Sequence, residues 1–225
     1  MIQDSFRRPE LEQIRSKGYS FDSNWQVVDI FEKKVAEFFG APYAVAMDSC
    51  THALELCLRI INKPHELVTI PEYTYMSVPM MLEKLQQPWQ FSKHKWELFY
   101  YLDPLPVIDA AYFWKKNSYI TGTLTVISFQ YQKHVPIGRG GIVLTDNSTH
   151  YNRLQKLCRD GRDRTVRWID DTITEIGYHY HMTPEDAARG ILLFDCLHDE
   201  TVALKGWRDY KPLSQFPVFK NKVVI

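Results

Sequence analysis

Residues 128–141 read Ser128-Phe129-Gln130-Tyr131-Gln132-Lys133-His134-Val135-Pro136-Ile137-Gly138-Arg139-Gly140-Gly141. The apolar run Leu124 to Ile127 before them predicts a buried strand. Ile142 to Thr145 behind them predicts a second, ended by the turn signal Asp146-Asn147. A lysine between two short strands, with Gly138, Gly140 and Gly141 just after it, suggests an amine held by a tight loop. Burial strips an ammonium of solvation, lowers its pKa and leaves a neutral amine able to attack a carbonyl. Taken alone, the loop reads as an ordinary surface hairpin, because lysines are exposed as a rule. The neighbouring segments decide.

Working outward, residues 1–23 are polar and broken by Pro9 and Gly18, which predicts an N-terminal arm with at most one short helix. From Asn24, Val27, Val28, Phe31, Val35, Phe38 and Phe39 recur at helical spacing and Gly40 stops the helix. Tyr43 to Met47 is a short strand, Asp48 to Thr51 a turn, and Ala53 to Ile61 a helix. Leu67 to Ile70 is a strand and Met76 to Leu85 a helix. Trp89 to Leu102 reads as one or two strands, and Pro106 to Ile108 as a strand ending on Asp109. After the glycine loop, Thr149 to Arg167 reads as a basic amphipathic helix followed by a charged loop. Thr183 to Leu197 is a helix with a Thr183 cap, Pro184 in its first turn, and Glu185 and Asp186 near its dipole. The final 20 or so residues are irregular. Strands alternating with helices predict an α/β fold with a mostly parallel sheet flanked by helices, in one domain over residues 24–225.

Three further positions carry chemistry. Asp48-Ser49-Cys50-Thr51-His52 ends a strand just before a helix, where backbone N–H groups and the positive dipole end can seat a phosphate; a plain N-cap would look the same. Asp109 ends an apolar strand, and in parallel α/β sheets ligands bind beyond the carboxyl ends of strands. Tyr75, after Pro71-Glu72-Tyr73-Thr74, follows a strand and could stack on a flat ligand. Phosphate seat, aromatic plate, carboxylate and lysine in that order form the set that pyridoxal phosphate (PLP) requires.

The composition removes other classes. Lys plus Arg and Asp plus Glu balance at 27 each, so no global field favours nucleic acid or an anionic membrane. Cys50, Cys57, Cys158 and Cys196 show no metal-ligand pairing, and no metal site is expected. Cys50 and Cys57, seven apart on one helix, suit reduced thiols. With no apolar leader and no membrane-length run, a cytoplasmic protein is expected.

At this point the chain resembles the DegT–DnrJ–StrS family of sugar aminotransferases, which have the fold-type-I PLP-transferase large domain. The resemblance rests on Phe31-Glu32 with Ala36, Ser49-Cys50-Thr51-His52-Ala53-Leu54, Pro71 to Tyr75, Asp109-Ala110-Ala111, Ser128 to Lys133 with Gly138 to Gly141, and Gly177-Tyr178-His179-Tyr180-His181-Met182-Thr183. It implies that Lys133 forms the aldimine with PLP and later shuttles a proton. It also implies that Asp109 keeps the pyridine nitrogen protonated and Tyr75 stacks on the ring. The Cys50 and Thr51 amides, with Ser49, the Thr51 hydroxyl and Ser128, would hold the phosphate. Tyr112 and Gln130 complete the cofactor set. His179 would reach the phosphate of a neighbouring subunit, so a homodimer with shared sites is implied. The implied activity transfers an amino group from glutamate to a keto sugar, nucleotide-linked. A relative with altered chemistry such as dehydration, and a PLP-binding homologue without turnover, remain as alternatives.

Several positions depart from the family pattern. Cys50 replaces the glycine of the phosphate turn, and Tyr112 stands where Gln or His is usual. Arg139 replaces a Glu, and His179 and His181 replace Asn and Arg. Only 34 residues separate Tyr75 from Asp109, so a strand–helix unit is expected to be absent. Little chain follows Leu197, so an abbreviated large domain without most of the small domain is expected.

Overall fold

The computed structural model describes residues 8–197 and 205–225; the start of the expected N-terminal arm and residues 198–204 lie outside the described residues. Six helices are described: α1 (Pro9–Ser16), α2 (Trp25–Phe39), α3 (Cys50–Ile61), α4 (Ser77–Lys84), α5 (Ser148–Leu157) and α6 (Pro184–Phe194). The strands are β1 (Tyr43–Met47), β2 (Val68–Pro71), β3 (Trp89–Ser92), β4 (Tyr100–Tyr101), β5 (Val107–Asp109), β6 (Leu124–Ser128) and β7 (Gly141–Thr145).

The main sheet has the order β1-β7-β6-β5-β4, with β2 and β3 forming a parallel pair beside it. β5 runs parallel to β6, and β7 is antiparallel to both β1 and β6. β4 doubles back antiparallel on β5, and paired bonds between Thr69 and Asp103 tie its end to β2. β1, β2, β3, β5 and β6 therefore point one way, and only β4 and β7 oppose them. This is the expected α/β fold. Between Tyr75 and Asp109 the chain runs through α4, β3 and the short β4 return before reaching β5.

Alternation along the strands splits the core in two, because successive side chains face opposite sides of a sheet. Val45, Met47, Val126 and Val143 face α3, α4 and α5. Ala44, Ala46, Ile127, Ile142 and Leu144 face α1, α2 and α6, and Leu11, Ile14 and Phe21 join this side. Phe31 of α2 is fully buried against Phe129, ring centroids 5.1 Å apart. Truncating so buried an aromatic typically costs about 3–5 kcal/mol.

Helix ends follow local chemistry. Gly40 ends α2 in the left-handed region (φ 74°), which a residue without Cβ adopts freely. Thr183 caps α6 by accepting the Asp186 N–H at 3.1 Å, with Pro184 at the first position as its sequence predicts. The last residues run beside β3, where Val223 O accepts the Phe91 N–H and Ile225 N–H donates back to Phe91 O. Among the described residues no helix is long and apolar enough to cross a membrane.

Glu32 of α2 is a buried carboxyl. Its Oε1 accepts the Ala46 N–H at 2.8 Å and its Oε2 the Gln155 amide at 3.2 Å. Burial pushes its pKa from 4.5 to about 7, outweighing the nearby Arg159 charge and the Ala46 bond. The folded state thus holds a proton that the unfolded chain releases between those pH values. Stability falls as pH rises through this window, by about 3 kcal/mol when complete. Glu32→Gln has no such proton to lose. Urea unfolding at pH 5 and pH 8 should therefore show the variant gaining on the parent at the higher pH. Parallel profiles would show that Glu32 titrates alike in both states.

Candidate active site

The five co-directed strands end along one edge of the sheet. β1 delivers Asp48 to Thr51, β2 delivers Thr74 and Tyr75, β5 ends on Asp109, and β6 ends on Ser128 before the Lys133 loop. The antiparallel β7 begins at this same edge, since Gly141 pairs with both Met47 and Ser128. These ends enclose a cavity of about 400 Å³. Ser49, Cys50, Thr51, Tyr75, Asp109, Tyr112, Ser128, Gln130 and Lys133 all line it. Residues far apart in sequence are thereby brought around one cavity.

Lys133 sits in the hairpin between β6 and β7. Val135 and Ile137 anchor the loop in the core, and Phe129 and Gly140 close its base through a 3.0 Å backbone bond. The side chain turns inward, with Nζ 2.9 Å from the centroid of the Tyr112 ring. Burial lowers the pKa of the amine, while Tyr112, Cys50 and Asp109 oppose that shift. The surface-hairpin alternative fails because the loop is tied down on both sides of the lysine.

Asp109 is buried at the cavity floor. Its Oδ1 accepts the Ala111 N–H at 3.0 Å and its Oδ2 the Tyr100 hydroxyl at 2.6 Å. Burial raises its pKa; the Tyr100 and Ala111 bonds and the Lys133 charge all pull the other way.

At the opposite wall, Ser49 caps α3 by accepting the His52 N–H at 3.1 Å, and the helix N-terminus faces the cavity. The Thr51 and Ser77 hydroxyls lie 2.7 Å apart. A Cβ on Gly141 would stand 2.6 Å from the Cys50 backbone nitrogen, so only glycine lets the start of α3 lie directly on β7. Cys50 itself is accommodated: its thiol lies among Ser128, Asp109 and Lys133, and burial pushes its pKa well up. Arg139 binds the end of β1, with Nε on Asp48 O at 3.0 Å and Nη2 on Asp48 Oδ2 at 2.8 Å.

His179 lies elsewhere. Residues 178–181 extend the sheet beyond β1, where Asp48 N–H donates to Tyr180 O at 2.7 Å and Tyr180 stacks on His52 at 3.7 Å. The His179 side chain is 77% exposed and bonds Asp160 at 3.0 Å, outside the cavity lining.

Sequence reasoning missed Trp96, Tyr100 and Tyr210, which also line the cavity, and gave no role to Thr74 or Ser77. Thr74 lay inside a quoted motif. Tyr100 lay in a stretch without periodicity. Tyr210 arrives on a segment of short turns, held by Trp207 N–H on Trp96 O at 3.1 Å and Leu213 N–H on Glu72 O at 2.8 Å. All four cysteines are free thiols, and among the described residues no His, Cys, Asp and Glu group could hold a metal ion.

Comparison with known proteins places this cavity in context. The family model of the DegT/DnrJ/EryC1/StrS aminotransferases matches residues 4–91 and 111–202. A curated relative, the uncharacterized protein MJ1066 of Methanocaldococcus jannaschii, is 25% identical over 252 aligned positions, covering 85% of this chain and 65% of its own length. AtS13 from Actinomadura melliaura superposes with a TM-score of 0.69 at 20% identity, over 84% of this chain and 64% of that one. A DegT DnrJ EryC1 StrS aminotransferase from Brucella abortus gives 0.70 at 15% identity, over 96% of this chain and 84% of that one. The chain thus spans about two-thirds of the length of MJ1066 and of AtS13.

Proposed function

The chain belongs to the DegT/DnrJ/EryC1/StrS aminotransferase family, and from that premise we propose that it is a PLP-dependent aminotransferase that moves an amino group from glutamate to a keto sugar. The observation that carries this reading is the convergence of Lys133, Asp109 and the N-terminus of α3 on one cavity.

The donor set fits PLP. The start of α3, with the Thr51, Ser77 and Ser128 hydroxyls, offers hydrogen-bond donors and a positive dipole end to a phosphate. Asp109 offers a buried negative charge to a ring nitrogen, and Tyr75 an exposed aromatic face. When bound, PLP supplies an electron sink for the bond-breaking at an amino acid's α-carbon. The protein's part is proton handling and placement. Lys133, its pKa lowered by burial, takes up and returns a proton at Nζ. Tyr112 lies against that amine, its ring centroid 2.9 Å from Nζ, and Trp96 and Tyr210 line the same cavity. The sugar acceptor, nucleotide-linked, extends the family reading, and a cytoplasmic location goes with it.

Mixing the PLP-loaded protein with glutamate tests the reading. Conversion of the bound cofactor to its pyridoxamine form is the expected result. A spectrum unmoved by glutamate or any other amino donor would leave a PLP-binding homologue without turnover.

The same proposal includes a homodimer. His179 faces away from its own cavity, and the neighbouring loop exposes Trp168 (71%) and Ile176 (84%) together with Ile169 and Ile173. Four large apolar side chains exposed between residues 168 and 176 support an association surface there. Sedimentation equilibrium should give twice the 26.5 kDa chain mass, and Trp168→Asp with Ile173→Asp should return the monomer. A monomeric parent would leave His179 without a phosphate to meet.

A further inference from the structure

We propose that Tyr100 is a positioning residue for Asp109: its phenol fixes the carboxyl in the plane that faces the cavity and opposes its protonation. The cofactor consequence rests on the PLP reading above; the hold on Asp109 does not.

The geometry begins with the β4 return. Antiparallel register sets Tyr100 directly opposite Asp109, so both side chains leave the same face of the sheet. β4 is two residues long; Tyr101 is exposed, whereas Tyr100 is buried and ends on Asp109 Oδ2 at 2.6 Å. The Tyr100 oxygen also lies 2.5 Å from Thr74 Oγ1.

An ionised carboxylate can only accept, and a phenol has one proton. Tyr100 donates to Asp109 Oδ2, which leaves Thr74 as the donor to Tyr100. The chain of hydroxyls runs one way, from Thr74 through Tyr100 to the carboxylate, and each bond polarises the next. With Ala111 N–H on Oδ1, both carboxylate oxygens are held, and each keeps a lone pair for a ligand N–H.

The other groups facing Asp109 leave Tyr100 a distinct share. Lys133 from the hairpin favours ionisation, whereas the Cys50 thiol of α3 and the Tyr210 phenol of the C-terminal segment are held neutral by burial. Burial of Asp109 favours its neutral form, and the Tyr100 bond leads the forces against that. Tyr100 also lies between the two segments that the family model matches, so nothing in that match assigns it.

The test titrates Asp109 by carbon NMR in cofactor-free protein carrying labelled aspartate carboxyls, with the signal assigned through Asp109→Asn. In Tyr100→Phe the midpoint should move up by about one pH unit, the effect of one hydrogen bond to a charged group. Thr74→Val should move it the same way by less. A midpoint unmoved in both variants would overturn the proposal. If Tyr100→Phe does not fold, Thr74→Val decides by itself. In a parallel PLP titration at neutral pH, Tyr100→Phe should bind about tenfold more weakly than the parent. Equal affinity in a parent and variant that both bind would overturn the cofactor consequence. A parent that binds no PLP while the midpoint still shifts would sink the PLP reading and leave the Tyr100–Asp109 hold standing.

Discussion

Lys133→Ala should slow the glutamate half-reaction by about 10,000-fold, the upper end of what one positioned proton-transfer group contributes. Among the described residues, Lys133 and Arg139 are the cationic side chains that line the cavity. Arg139 is 64% exposed and committed to Asp48, and Lys205 lies 5.4 Å from the Tyr112 ring with its Nζ on Gln132. No neighbour can therefore take over the role of Lys133. A small soluble amine should restore part of the rate, because what the variant lacks is an amine at one place. Stopped-flow absorbance reads both effects. A variant turning over within tenfold of the parent would show that the proton moves elsewhere.

Asp109→Asn should slow the same half-reaction by about 100- to 1,000-fold, the range for removing one preorganised electrostatic group. The amide keeps the shape but has a single acceptor oxygen, so it can keep only one of the Ala111 and Tyr100 bonds in place, and it carries no charge. A ring nitrogen that gains positive character would then face a neutral dipole in a buried site, where charge is poorly screened. Binding of PLP should weaken less than turnover does, since the phosphate contacts at α3 remain. Equal losses in affinity and rate would mean that Asp109 serves binding alone.

The parts of this site that were legible in the sequence share one property: their signal is local. Gly40 stops a helix because of its own backbone freedom, and Tyr43 to Met47 reads as a strand from consecutive residues. Asp109 and Ser128 each end an apolar run, and strand ends are where such folds place ligands. The residues that escaped notice are fixed by pairing at a distance. Tyr100 meets Asp109 only because β4 reverses, and a two-residue strand leaves no period to read. Tyr210 follows no pattern of its own, since its place depends on Trp96 and Glu72 holding the segment around it. Arg139 looked like a departure from a motif; its bonds to Asp48 show that it ties the lysine loop to the end of β1. Cys50 was expected to crowd the turn, yet its thiol is taken up among Ser128, Asp109 and Lys133.

The central claim is that Lys133 is the amine PLP joins, and reductive trapping tests it most directly. The protein is loaded with PLP, reduced with borohydride, digested and mapped by mass spectrometry. The account predicts one pyridoxyl group per chain, on the peptide carrying Lys133, and its loss in Lys133→Ala. Label on Lys205 or scattered over surface lysines, unchanged in that variant, would contradict it.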